Sequence, residues 1–185
     1  MNEYEITRIL KAHPHTKGNF RGTFASDELP LPLIRGVYVV NLSARAEGSG
    51  SHWITIYVNR HKIAYYMDSA GEPPTVLSII YALSSLNFIL YNSVQLPSNS
   101  SISCGLFAVV CAIFFCRGVG IYELRLLFKQ EPHLLSLNEH IIAGLVSKEL
   151  VTFGASWSRQ LAREIRKWRA PRLDIIPPPE MLTMN

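Results

Sequence analysis

Cys104, Cys111 and Cys116 stand in one run without a charged residue, and the first of them opens it in the setting Ser-Cys-Gly. A polar stretch, "PSNSSIS" (97–103), precedes Cys104, and Arg117-Gly118 closes the run. That pattern predicts a buried helix over 104–116, with a cation and a glycine at its end. A helix N-terminus presents free N–H groups and positive potential, which stabilise a thiolate over a thiol. Cys104 is therefore a candidate nucleophile. The plain alternative is a third core cysteine beside Cys111 and Cys116, which read as small buried hydrophobes. Gly105 removes a side chain next to the thiol and is expected to leave room for a substrate backbone.

A nucleophilic thiol needs a base, and the segments "HWITIYV" (52–58) and "KIAYYMD" (62–68) offer one. They read as two strands joined by "NRH". With the turn centred on Arg60, Val58 faces Lys62, Ile56 faces Ala64, and His52 faces Asp68. Residues directly opposite in an antiparallel pair share a face, with Cβ atoms about 4.5–5.5 Å apart. A carboxylate so placed fixes the imidazole tautomer and stabilises the imidazolium. Taken alone the pair reads equally as a polar edge contact, and a one-residue slip would separate it. Gln95, at the end of a strand over 88–96, could donate an amide N–H to an oxyanion together with the backbone N–H of Cys104. A solvated strand-end glutamine is the other reading.

These residues need elements to carry them. Tyr4, Ile6, Ile9 and Leu10 recur at helical spacing over 2–12. The stretch "HPHTKGNFRGTFASDELPLP" (13–32) is turn-rich, and "GVYVVNL" (36–42) is a β-branched strand. "ARAEGSGS" (44–51) reads as a flexible loop, 75–86 as a helix, and 121–170 as two or three further helices. His13, His15, His61, His133 and His140 have no marking context and are expected at the surface or in loops. Strands and helices cluster without strict alternation, so the class is α+β. One domain over 1–170 is expected, followed by a Pro-rich tail over 171–185.

Composition narrows the classes. The chain has 185 residues, of which 48% are hydrophobic, enough for one sizeable core. The net charge of +4 permits an acidic partner without requiring one. No charged-then-apolar leader opens the chain, so no signal peptide is expected. The uncharged run 104–116 is too short for a bilayer, which needs about 20 residues. On a helix Cys104 and Cys111 lie roughly 10 Å apart along the axis, too far for a disulfide. The paired short spacings of zinc sites are missing. Reduced thiols in an intracellular protein fit best.

The order His52, Asp68, Gln95, Cys104, with "VVNLSARAEGSGSHW" and "SCGLF", resembles the adenovirus protease family, the adenains. "NFRGTFASDELPLP" is similar to that family's Phe-x-Gly-Thr segment. The similarity spans roughly residues 18–116. It implies a central mixed sheet flanked by helices, with the nucleophile at a buried helix N-terminus. It also implies roles: Cys104 as nucleophile, His52 as base, Asp68 as its orienter, Gln95 as oxyanion donor. The activity implied is a cysteine endopeptidase that cleaves viral or virus-like capsid and core precursors at Gly-containing sites during particle maturation. The expected setting is the host nucleus and the virion, as a monomer with no metal or organic cofactor. Asp68 departs from the glutamate typical of adenoviral enzymes, and "IAYYMDS" with "HWITIYV" also resembles the SUMO-specific proteases. No cysteine precedes Cys104, so an activating peptide, if used, would bind noncovalently. These departures point to a diverged viral or transposon-borne member.

"SWSRQLAREIRKWRAPR" (156–172) adds a second expectation. Trp157, Leu161, Ile165 and Trp168 form an apolar stripe, while Arg159, Arg163, Arg166, Lys167 and Arg169 form a basic face. That face is either ordinary solvated surface or a contact to DNA phosphates. DNA stimulation, implied by the resemblance, agrees with the second. Two rivals to the endopeptidase remain. One is a SUMO or ubiquitin-like isopeptidase on the same residues, the other a non-catalytic DNA-binding or interaction module.

Overall fold

The computed structural model describes residues 1–48, 51–98 and 102–152. The basic stretch 156–172, with Arg159, Arg163, Arg166, Lys167 and Arg169, and the tail 171–185 lie outside the described residues. Among those described, helix α1 (Glu3–Ala12) is followed by strands β1 (Phe20–Phe24), β2 (Gly36–Asn41), β3 (Trp53–Val58) and β4 (Ile63–Met67). Helix α2 (Leu77–Leu83), strand β5 (Phe88–Tyr91) and helices α3 (Cys104–Cys116), α4 (Ile121–Arg125) and α5 (Leu135–Thr152) follow among the described residues. The class is α+β, as expected. Among the described residues no helix is long and apolar enough to cross a membrane.

The five strands form one mixed sheet in the order β1-β2-β3-β4-β5. The β1–β2 and β4–β5 pairs are parallel, and β3 runs antiparallel to both its neighbours. Alternation sorts the strand residues between two layers. Val37, Val39 and Met67 face a core made with α1, α3 and α5, while Tyr38, Val40, Ile54, Ile56 and Tyr66 face α2. All of β2 is consequently buried, which explains its unbroken apolar reading.

Helix α3 spans the predicted residues and lies in the middle of the larger core. Its residues 105–113 are buried all round, as an apolar helix without a polar face requires. Each large side chain hidden there, such as Phe107 or Ile113, contributes roughly 1.5–3 kcal/mol. Thr55 Oγ on β3 donates to Ala108 O at 3.0 Å and is fully buried. This buried polar tie fixes the helix along the central strand.

Two elements differ from the sequence reading. The turn-rich stretch hides β1, whose Thr23 hydroxyl meets that of Thr7 on α1 at 2.8 Å. The strand predicted over 88–96 ends at Tyr91, because Asn92 turns its side-chain amide back onto the chain. Its Nδ2 donates to Val94 O at 2.6 Å, and its Oδ1 accepts from Val94 N–H at 3.2 Å. His13 lies in the loop after α1, as expected, but is buried. It is 2% exposed, and its Nε2 lies 3.3 Å from Glu149 Oε2 on α5.

Candidate active site

The β3–β4 hairpin carries His52 and Asp68, in a register two residues from the predicted one. Val58 pairs with Ala64 and Thr55 with Met67, so the turn centres on His61 and His52 does not stand opposite Asp68. Asn59 causes the shift. Its Oδ1 accepts from His61 N–H at 2.8 Å and from Ile63 N–H at 3.1 Å, and Lys62 takes a left-handed φ of 55°. This three-residue loop is a common hairpin closure. An offset of two keeps both residues on the same face of the hairpin. His52 immediately precedes β3 and Asp68 immediately follows β4, so both stand at one end of the sheet and meet diagonally. His52 Nε2 lies 2.6 Å from Asp68 Oδ1.

Asp68 is held from several sides. Its Oδ1 also accepts from Ala70 N–H at 2.7 Å, and its backbone carbonyl accepts from Gly71 N–H at 3.0 Å and Asn92 Nδ2 at 2.8 Å. The carboxylate is 2% exposed while the His52 side chain keeps 24%. His52 is itself anchored by the loop before it. Asn41 Oδ1 accepts from Ser43 N–H at 3.0 Å and Ser51 N–H at 3.1 Å, and Leu42 N–H donates to His52 O at 2.9 Å.

Cys104 sits at the tip of α3, where the first N–H groups precede the helix's own hydrogen bonds. Its thiol is hydrogen-bonded by His52 and by the backbone N–H of Trp53. With Nε2 occupied by Asp68, Nδ1 is the imidazole nitrogen left for sulfur. Burial pushes the Cys104 pKa up, but the His52 and Trp53 hydrogen bonds outweigh it and leave the thiol below its ordinary value. For His52, burial works against the charged form, yet Asp68 and Cys104 together push it up to about 10. Both shifts run in the direction that favours a thiolate beside an imidazolium. The other two thiols differ sharply. Burial alone pushes Cys116 up to about 11 and drives the fully buried Cys111 higher still.

Gln95 lies in the loop after β5, not at a strand end. Its Nε2 donates to Pro97 O at 3.0 Å. The loop abuts the Asp68 turn, since a Cβ on Gly71 would lie 2.6 Å from Val94 C and 2.7 Å from Gln95 N. Leu96 N–H donates to Ser69 O at 2.8 Å. The structure thus joins His52, Asp68 and Cys104 directly and ties the Gln95 segment to the same turn by backbone bonds. Gly105 does not open space for a substrate. A Cβ there would lie 2.8 Å from Met1 Cβ, and Trp53 Nε1 holds Met1 O at 3.1 Å.

Asn92, Gly71 and the Trp53 amide were not singled out by sequence. Asn92 had a signal, a polar residue closing the apolar run "FILY", and Gly71 had another, the Asp-Ser-Ala-Gly turn. A backbone N–H leaves none. Among the described residues no group of three or more His, Cys, Asp or Glu could hold a metal ion.

No protein-family model and no curated protein sequence matches the chain. Among solved structures, two crystal structures of the ASFV pS273R protease are similar. The selenomethionine form shares 17% identity at a TM-score of 0.41 and covers 55% of this chain. The other shares 12% at 0.44 and covers 66%. The chain spans only 42% and 60% of the length of those two neighbours, so the chemistry of the site rests on its own geometry.

Proposed function

We propose that the chain is a cysteine endopeptidase. The observation that carries this reading is the Asp68–His52–Cys104 relay, which ends on a pKa-lowered thiol at a buried helix tip. The Cys104 thiolate attacks the scissile carbonyl carbon and forms the C–S bond, and the carbonyl π pair becomes an oxyanion. The Cys104 N–H, with Gln95 turned from Pro97 toward the site, would hold that oxyanion. The His52 imidazolium then gives its proton to the leaving amine as the C–N bond breaks. Water, deprotonated by His52, hydrolyses the thioester and releases the acid. Asp68 steadies the imidazolium throughout.

The substrates proposed are viral or virus-like structural precursors cut at Gly-containing sites. Support comes from the resemblance of "SCGLF" and its ordered partners to the adenains. The test is cleavage of Gly-containing peptides set against a ubiquitin-like protein ending in Gly-Gly. Cleavage of the peptides, abolished in a folded Cys104→Ala and kept in Cys111→Ala, is the expected result. Turnover of the ubiquitin-like substrate alone would move the reading to the isopeptidase, and cleavage by Cys104→Ala would end it. DNA remains a proposed partner through the 156–172 stretch. Its check is a salt-dependent affinity for duplex DNA, with a slope reduced in Arg163→Glu/Lys167→Glu.

A further inference from the structure

One face of α5 carries an unusual sequence of groups. Asn138 and Glu139 open it, Ile142 and Val146 follow in the core, and Glu149 closes it, all of them buried. The two polar residues at its start do not face water. Glu139 Oε1 accepts from Ser98 N–H at 3.0 Å and from Ser98 Oγ at 2.8 Å, and the residue is 1% exposed. Asn138 is fully buried. Its Nδ2 donates to Leu96 O at 2.6 Å and Lys129 O at 2.7 Å, and its Oδ1 accepts from Lys129 N–H at 2.8 Å.

Leu96 is thereby held at both ends of its own backbone. Its N–H goes to Ser69 O beside Asp68, and its carbonyl goes to Asn138 on α5. Gln95 precedes this doubly held residue and Ser98 follows two positions later. A buried carboxylate and a buried amide are costly unless fully satisfied. Here both are satisfied by the backbone of one short segment, or by the loop beside it. That is more than packing α5 against α3 requires, since Ile142 and Val146 already do so.

We propose that Asn138 and Glu139 are positioning residues that hold the Gln95–Ser98 segment against the Asp68 turn, so that its donors meet an oxyanion formed on Cys104. This rests on the peptidase reading above. They touch neither substrate nor thiol and act through Leu96 and Ser98. Small misplacements of an oxyanion donor are expensive, because the donor must sit where charge develops.

The experiment compares two reactions of Cys104. Iodoacetamide needs only the thiolate: sulfur displaces iodide and no oxyanion forms. A peptide aldehyde adds sulfur to its carbonyl carbon, and the new oxygen takes the oxyanion position before accepting a proton from His52. In Asn138→Leu and in Glu139→Met, aldehyde affinity should fall about 10-fold to 100-fold. The alkylation rate and its pH profile should stay as in the native protein, because His52, Asp68 and Trp53 are untouched. Glu139→Gln keeps an acceptor oxygen at the Oε1 position that Ser98 meets, and should restore most of the aldehyde affinity. A parallel fall in both reactions, following the fraction of folded protein, would reduce the pair to structural residues. So would unchanged aldehyde affinity in both variants, while Cys104 of the native protein remained reactive. A native thiol that reacts selectively with neither reagent would instead end the peptidase reading, and this inference with it.

Discussion

His52 and Asp68 are not cross-strand partners, yet His52 Nε2 and Asp68 Oδ1 meet at 2.6 Å. The contact spans the end of the sheet diagonally, so it depends on the turn at Ala70 and Gly71 as much as on the hairpin. Asp68→Asn keeps the size of the side chain and removes its charge. The imidazolium then loses its strongest support, and the alkaline limb of kcat/KM should move down from about 10. Turnover should fall on the order of a hundredfold. The pH profiles of both proteins measure this directly, and an unshifted limb would detach Asp68 from the mechanism.

The two titrations of the native site set opposite limits. Cys104 lies below its ordinary value, so activity should rise as pH passes through that lowered pKa. His52 is raised to about 10, so activity should fall as its proton is lost there. Stability follows the same signs. The His52 contribution is full below about 6.5, its unfolded value, and is lost as pH rises toward 10. The Cys104 contribution is present at alkaline pH and is lost as pH falls through its folded value. Replacing His52 by Ala should move the acid limb of iodoacetamide alkylation upward, since burial is then opposed by the Trp53 N–H but no longer by the imidazolium.

Gly71 should tolerate no side chain. Its φ of +82° is left-handed, and a Cβ would lie 2.6 Å from the carbonyl carbon of Val94. The obstacle is backbone, so the Gln95 loop itself must move. Gly71→Ala should lower stability by roughly 2 kcal/mol and lower kcat beyond the loss of folded protein. Urea unfolding at constant slope, beside kcat on the folded fraction, separates the two effects.

The far end of α5 is fastened by charge. Arg117 donates to Glu149 Oε1 at 2.8 Å and to Oε2 at 2.6 Å, and His13 Nε2 lies 3.3 Å from Oε2. Burial raises the Glu149 carboxyl, but Arg117 and His13 bring it below its usual range. Burial lowers His13, and Glu149 only partly offsets it. Both shifts favour the folded chain at neutral pH. The His13 part is lost as pH falls below about 6.5, and the Glu149 part as it falls below about 4.5. Glu149→Gln should cost about 1–2 kcal/mol, because it keeps one acceptor for Arg117 but removes its countercharge. Acid titration of the two proteins, followed by circular dichroism, checks both the cost and its pH range.

How legible all this was depended on whether the signal was local. Helix α3 was readable to its ends because an uncharged run is bounded by a polar loop and by Arg117-Gly118. Strand β1 was not, because "FRGTF" has no alternation and is held as a parallel edge by β2 and Thr7. The hairpin register failed by two because "NRHK" contains no glycine. A side chain, Asn59, builds the turn there, and Lys62 takes the left-handed position. The burial of His13 could not have been read, since Glu149 lies 136 residues further on. The order His52, Asp68, Gln95, Cys104 marked four candidates, of which His52, Asp68 and Cys104 come together, while Asn92, Gly71 and the Trp53 amide act through backbone contacts that composition does not mark.

The tie from Thr55 to Ala108 joins residues 53 apart in the chain, and this sets the order in which the molecule can come to life. The hairpin and α3 are each local and can form quickly, but neither holds a competent thiol. Cys104 meets His52 and Trp53 only after the loop between them closes, a step whose entropic cost comes before any reward. A nascent or partly folded chain thus lacks the lowered thiol pKa, though its thiols still react as ordinary cysteines. The appearance of Cys104 alkylation at pH values below the ordinary thiol range during refolding would time that docking event separately from the helix signal.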